Sequence, residues 1–315
     1  MSDAFVARAD SETAYPDDLR GLVERYLAEL DFAAVARASR LVEAMRYSLL
    51  AGGKRIRPVL SLAVAESLGR PPAAVMPTAA ALELIHTYSL IHDDLPAIDN
   101  DDLRRGKPTC HVVFGDDIAI LAGDGLFAEA FRLIVERQEA PPPTVLTVLG
   151  EIARATGVQG MVGGQYMDVT AAAGDDDDLR LLHSLKTGRL IEAAVVCSAV
   201  LCRVGGGGGT GAAPGTRSAD STDLAVYRAF AREIGLLFQV VDDILDVEGE
   251  AAELGKAPHQ DELLHKLTYV SRFGLEGARA LAGESYARAG RRLSALPGDT
   301  AKLRGVTDYI YRRTR

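Results

Sequence analysis

No uninterrupted apolar run in this 315-residue chain reaches the ~20 residues that a membrane-spanning helix needs. The opening segment MSDAFVARADSETAYPDD has no apolar core of signal-peptide length. Both absences argue against membrane insertion and make a cytoplasmic location the expectation. Cysteine is scarce: Cys110, Cys197 and Cys202 are odd in number and lack CxxC spacing, which disfavours a disulfide frame or a zinc site and leaves buried or indifferent thiols. Cations are outnumbered, 35 Lys and Arg against 44 Asp and Glu for a net charge of −9. Nucleic-acid binding rests on a broad basic face that neutralises phosphates, so no nucleic-acid partner is expected. Period-two alternation of β-branched residues is also scarce, and with it the pattern of a sheet protein.

What is present is alanine and leucine, with apolar residues at three- and four-residue spacing, as in LAVYRAFAREIGLLFQVVDDIL. That spacing marks amphipathic or buried helices. The expected fold is all-α, with helices near 18–34, 37–51, 56–68, 75–96, 116–138, 144–172, 178–203, 222–247, 260–272, 275–293 and 298–313. A hydrophobic content of 48% suffices for a substantial core. No segment reads as a clean boundary, so one domain over 1–315 is expected. The run VGGGGGTGAAPGTRSADSTD, about 204–223, reads as a flexible linker, since its glycines lack a phosphate-loop pattern.

Two aspartate clusters stand in these apolar surroundings: Asp93-Asp94 with Asp99 in LIHDDLPAIDNDDLRRGKPTCH, and Asp242-Asp243 with Asp246 in FQVVDDILD. Asp is rarely buried without a partner, and carboxylates a helical turn apart raise one another's pKa until a cation neutralises them. All-oxygen ligands suit Mg2+, which keeps waters and joins one or two carboxylates to substrate phosphates. Bases lie close by: Arg104 and Arg105 after the first cluster, and Lys54, Arg55 and Arg57 in GGKRIRP. Arg is the forked phosphate donor and Lys the point charge. A diphosphate substrate follows as the expectation. Helical geometry puts His86 on the side of Asp93, about two turns away, and Gln239 on the face of Asp242 and Asp246. If the two helices face each other, six acids would line one cavity, polar at its mouth and apolar below.

GGKRIRP, ELIHTYSLIHDDLPAIDNDDLRRGKPTCH, GGQYMD, LKTGRLI, FQVVDDILD, LGK and KLTY occur in the order found in trans-isoprenyl diphosphate synthases. Over roughly residues 40–270 the chain resembles that family, and within it the bacterial-type farnesyl diphosphate synthases. The resemblance implies a single large helical bundle around a central cavity, the isoprenoid synthase-like fold, and a homodimer. It also implies head-to-tail condensation of isopentenyl diphosphate with dimethylallyl or geranyl diphosphate through a metal-triggered allylic carbocation.

By the same resemblance, Asp93 and Asp99 would ligate two Mg2+ and Asp242 a third, with Mn2+ as a substitute. Asp94, Asp243 and Asp246 would hold metal waters or complete the shell. Arg104, Lys186 and Lys256 would grip the allylic diphosphate, and Lys54, Arg57, His86 and Arg105 the isopentenyl diphosphate, with Lys266 completing the phosphate shell. Thr187 and Gln239 would turn oxygen dipoles to the developing cation. The pattern departs at His259-Gln260 before Asp261 and at Val270 after KLTY.

Two rival activities weigh less. A terpene cyclase normally carries an Asn/Ser/Glu triad on its second metal helix, but Asn100 is the only asparagine here and the motif is DDILD. A non-catalytic subunit of a heteromeric synthase usually loses one Asp motif, and both are complete. Product length turns on Tyr88, five residues or roughly 7.5 Å before Asp93, where an aromatic ring would floor the cavity, and on Ser89, which leaves space. The expected product is farnesyl diphosphate, C15, with C20 geranylgeranyl diphosphate as the alternative.

Overall fold

The computed structural model describes residues 14–32, 36–170, 174–204, 221–248 and 267–313. They are helical almost throughout, as the periodicity implies. In chain order the helices are α1 (Asp17–Glu29), α2 (Ser39–Leu49), α3 (Ile56–Ser67), α4 (Met76–Asp93), α5 (Cys110–Phe114), α6 (Asp116–Arg137), α7 (Pro142–Thr156), α8 (Met161–Val169), α9 (Asp176–His183), α10 (Arg189–Val204), α11 (Ser221–Glu248), α12 (Tyr269–Leu293) and α13 (Ala301–Arg312). A two-residue hairpin pairs β1 (Leu103–Arg104) with β2 (Lys107–Pro108).

Helices α3 and α4 are buried on nearly every face, Ile56 to Ala65 without a break and Met76 to Ile85 likewise. A helix apolar all round belongs at the centre of a bundle. Around them α10 touches α3, α4, α7 and α11, while α6 covers α4 and α12 covers α11. The candidate acids thus sit at the end of α4 and in the last two turns of α11, where packing fixes their backbone. No helix among the described residues is long and apolar enough to cross a membrane.

The expected boundaries depart from the observed ones in several places, beginning with the helix expected over 18–34, which ends at Glu29. The helix expected over 144–172 is two helices, because Gly157, Gly160 and Gly163 fold into a tight break; a Cβ on Gly160 or Gly163 would overlap the carbonyls of Ala155 or Val158. The helix expected over 178–203 contains a π-turn, Ser184–Gly188, between α9 and α10. The one expected over 75–96 stops at Asp93, since Pro96 disfavours helical backbone before it. The break near residue 274 is a kink inside α12 at Gly274, φ 70°. The Gly-rich run and most of 260–272 lie outside the described residues.

Candidate active site

The first aspartate motif closes α4. Beyond Asp93 the chain folds back on itself: the Asp99 amide donates to the Asp93 carbonyl at 2.9 Å and the Asp101 amide to the Asp94 carbonyl at 3.1 Å. Asn100 takes the left-handed conformation, φ 54°, that this fold-back needs and that asparagine tolerates. Asp94 and Asp101 are turned inward, 3% and 5% exposed, whereas Asp93 and Asp99 are partly exposed. Arg104 grips Asp94 through Nε at 2.7 and 3.0 Å and through Nη2 at 2.5 Å, and reaches Asp101 at 3.5 Å. Burial pushes the Asp94 carboxyl up while Arg104 opposes the rise.

The turn that carries Arg104 presents Arg105. Arg105 and Gly106 both have positive φ, 54° and 72°, the signature of a type I′ hairpin turn. A non-glycine residue held there is uncommon and is retained where its side chain has a task. The Arg105 guanidinium donates to the Gly52 carbonyl and lies over Gly53, where an added Cβ would come within 2.8 Å of it. The glycine pair of GGKRIRP therefore clears space for an arginine 52 residues away.

The three bases of GGKRIRP separate in the fold. Arg55 is structural: it binds Glu24 at 2.9 Å, Glu83 at 2.8 Å and the Leu49 carbonyl at 2.7 Å. This removes it from the phosphate candidates. Lys54 is exposed, its Nζ over the rings of Tyr309 (4.9 Å) and Tyr15 (5.8 Å). Arg57 is only 8% exposed and its Nε meets no hydrogen-bond acceptor among the described residues. Burial, reinforced by Arg105 and opposed by Glu83 and Asp242, brings its pKa down to about 10. Burial and the charges of Arg57, Arg105 and Arg104 hold His86 well below the usual imidazole range. Arg57 and Arg105, with the uncharged His86 in their field, thus form one cationic cluster, and Glu83, Glu24 and Asp242 are acids whose fields reach it.

The second motif divides as the first does. Asp243 and Asp246 are buried, 2% and 3% exposed, while the Asp242 side chain is 46% exposed with Arg313 at 3.7 Å. A line of hydrogen bonds runs from Thr187 Oγ1 to Gln239 Oε1 (2.8 Å), from Gln239 Nε2 to Asp243 Oδ1 (2.7 Å), and from the Tyr269 amide to Asp243 Oδ2 (2.7 Å). Lys186 and Thr187 lie on the π-turn, a helical irregularity common at functional sites. Lys186 Nζ binds Asp168 Oδ2 at 2.5 Å, and Gly164 allows α8 to touch the Lys186 backbone.

The expectation of six acids lining one cavity is corrected on this point: Asp94 and Asp243 bind protein partners and Asp246 is buried with them, so Asp93, Asp99 and Asp242 are the partly exposed set. Among the described residues no three His, Cys, Asp or Glu side chains converge as a ready cage. Carboxylate oxygens alone, spread over two helix ends beside a cationic pocket, match a hard cation that takes one or two carboxylates plus phosphate oxygens. Lys256 and Lys266, with His259 and Gln260, lie outside the described residues. Val270 falls in the first turn of α12, whose cap is Thr268.

Ser89 lies on the Asp93 side of α4, one turn before it, and donates to the His86 carbonyl at 2.9 Å. Tyr88 turns toward α6, edge-on to Phe127 (5.0 Å) and His92 (5.4 Å), with Phe131 in turn edge-on to Phe127 at 5.1 Å. Residue-level reading missed Glu83, Asp101 and Asp168. Asp101 and Asp168 pair with Arg104 and Lys186 of the site, whereas Glu83 holds the structural Arg55 beside it; Glu83 had a visible signal as the sole acid inside an apolar run.

The model of the family described as polyprenyl synthetase matches residues 38–292. The chain belongs to the polyprenyl synthetase family. Among curated members of this kind, geranylgeranyl pyrophosphate synthase 7, chloroplastic, of Arabidopsis thaliana is 44% identical, over 87% of this chain and 76% of that protein. A dimethylallyltranstransferase of Fischerella ambigua is 41% identical, over 95% and 84%. An FPP/GFPP synthase from Zymomonas mobilis shares the fold at a TM-score of 0.78 and 36% identity, over 93% and 96% of the two chains. The Helicobacter pylori geranyltransferase complexed with magnesium and isoprenyl diphosphate does so at 0.80 and 29%, over 94% and 95%. As a polyprenyl synthetase family member the chain is a prenyltransferase, which is the activity class the motifs imply.

Proposed function

We propose that the protein elongates allylic diphosphates with isopentenyl diphosphate and releases the C20 product, geranylgeranyl diphosphate. The observation that carries the two-diphosphate reading is the buried, acceptor-poor Arg57 with Arg105 and His86, set beside the partly exposed Asp93, Asp99 and Asp242. A buried guanidinium whose Nε lacks an acceptor among the described residues, beside partly exposed carboxylates at the ends of two helices, suits one diphosphate held directly and a second held through metal. Asp93 and Asp99 would hold two Mg2+ and Asp242 a third, which together neutralise the leaving diphosphate.

The chain's own residues do the rest. Arg104, anchored on the buried Asp94, and Lys186, anchored on the partly buried Asp168, turn remaining donors to the allylic diphosphate. Thr187, giving its proton to Gln239, directs lone pairs at charge that develops on the allyl carbon, where preorganised dipoles are most effective. Arg57, Arg105, His86 and Lys54 hold isopentenyl diphosphate so that its double bond attacks that carbon. The departed diphosphate takes the final proton, and the apolar walls of α3 and α4 keep water from the cation.

The C20 reading is supported by the names of several curated relatives, geranylgeranyl synthases of Capsicum annuum and Catharanthus roseus at 44% and 43% identity among them, and by the small Ser89 on the metal side of α4. Tyr88 supports the expected C15 product as a second reading, since an aromatic there narrows the path between α4 and α6. Purified protein given isopentenyl diphosphate, Mg2+ and each allylic primer decides between them by product size. C20 from the wild-type chain is the expected result. A wild type that stops at C15 and a Tyr88→Ala variant that reaches C20 would reverse the order, and product formed without isopentenyl diphosphate would overturn both. A homodimer is part of the proposal, supported by exposed Ile120, Leu121 and Val135 on α6 and Leu146 on α7.

A further inference from the structure

A second group of cations lies outside the site described above. Where the end of α7, the start of α10 and the first half of α11 meet, they enclose a cavity of about 280 Å³. Four arginines, Arg154, Arg189, Arg228 and Arg232, face two glutamates, Glu151 and Glu192. Glu192, 4% exposed, receives Arg228 at 2.8 Å, Arg232 at 3.2 Å and Arg189 at 3.5 Å. Glu151 receives Arg228 at 2.7 Å and Arg154 at 2.9 Å. Two positive charges therefore stand in excess around an open volume. The Nε of Arg189 is buried and meets no acceptor among the described residues. An ion-pair network that served stability alone would match its charges and close over them, because an unmatched buried donor is costly.

We propose that this cavity binds a small polyanion of the diphosphate class at a site separate from the candidate active site. Guanidinium forks bind phosphate oxygens two at a time. At about 30 Å³ per water the cavity holds several water volumes, enough for an inorganic diphosphate. Ala155 and Ala193 make up the apolar part of the lining, so the site suits a bare anion better than one with a prenyl tail. The choice of diphosphate rests on the prenyltransferase reading, whose reaction releases that ion; the excess charge does not. The site adjoins the chemistry, since Arg189 directly follows the π-turn that carries Lys186 and Thr187.

The test is calorimetric titration of inorganic diphosphate into the full chain with excess chelator, which removes metal-dependent binding at the acid motifs. Wild type should show two binding events, one at the Arg57–Arg105 pocket and one here. The double variant R154Q/R232Q removes two exposed forks, 62% and 63% accessible, and leaves Arg189 and Arg228 to balance the two glutamates. It should weaken one event at least tenfold, and R57A should remove the other. Identical isotherms for wild type and the double variant would overturn the proposal, as would a single wild-type event abolished by R57A. Binding here by a chain that transfers no prenyl group would leave this site standing and remove the proposed function instead.

Discussion

Arg57→Met separates the cost of a cationic pocket from its use. The guanidinium is held to about 10, at least two pH units below the ordinary arginine range, chiefly by burial. At about 1.4 kcal/mol per unit, keeping that charge in the fold costs on the order of 3 kcal/mol. The sign follows from proton linkage: below about pH 10 the group is charged folded and unfolded alike, so the whole cost is present at neutral pH and lifts only as pH rises through 10. Methionine has similar volume and no charge. The unliganded variant should therefore be more stable, by roughly 1–3 kcal/mol, or about 2–6 °C in Tm for a chain of this size. An anion reaching Arg57 supplies the missing acceptor, and charged hydrogen bonds contribute about 1.5–3 kcal/mol. The KM for isopentenyl diphosphate should then rise roughly 10- to 100-fold, with the KM for the allylic substrate nearly unchanged. Steady-state kinetics with each substrate varied in turn, beside scanning calorimetry without ligand, measure both. A variant that melts several degrees lower with unchanged KM would show that Arg57 holds the fold instead, and the reasoning would fail.

Three further outcomes follow from the same geometry. Arg55→Leu leaves Glu83, 2% exposed, as an unpaired buried acid and should lower stability by about 3–5 kcal/mol in urea unfolding; a loss under about 1 kcal/mol would contradict the pairing. His183 is held to about 4 by burial, so the unfolded chain takes a proton there that the folded chain refuses; stability present above about pH 6.5 is lost by roughly 3 kcal/mol as pH falls to 4, and His183→Phe should flatten that decline in pH-dependent melts. Asp93→Ala or Asp242→Ala should cut turnover with Mg2+ far beyond tenfold and leave metal-free melting unchanged; activity within tenfold, less than about 1.4 kcal/mol in the barrier, would remove the metal role.

Much of this site was legible because its chemistry is local in the chain. DDLPAID, GGKRIRP and FQVVDDILD each put charge where apolar periodicity says a helix is buried, and a buried charge needs a reason. What was not legible depends on residues far apart in sequence. Arg55 and Arg57 look alike in GGKRIRP, and only the fold reveals that Glu24 and Glu83 claim one and leave the other short of acceptors. The pairing of Asp168 with Lys186 and of Asp243 with the Tyr269 amide likewise awaited the packing of α8 and α12. The glycine break at 157–160 was missed because Ala, Thr and Val around it continue the helical period, so pattern outvoted punctuation.

The π-turn at Ser184–Gly188 has a consequence for how this protein varies. Such a turn is one extra residue threaded into a helix, and dropping any single residue from it would let α9 and α10 run on as one regular helix with its backbone bonding intact. One residue is about 100° of helical rotation, so everything on the α9 side would swing away from its present direction relative to α11. Lys186 and Thr187 therefore hold their aim through the length of the chain as much as through their identity. A survey that exchanges one amino acid for another would never detect this dependence, whereas a single-codon deletion would reveal it at once.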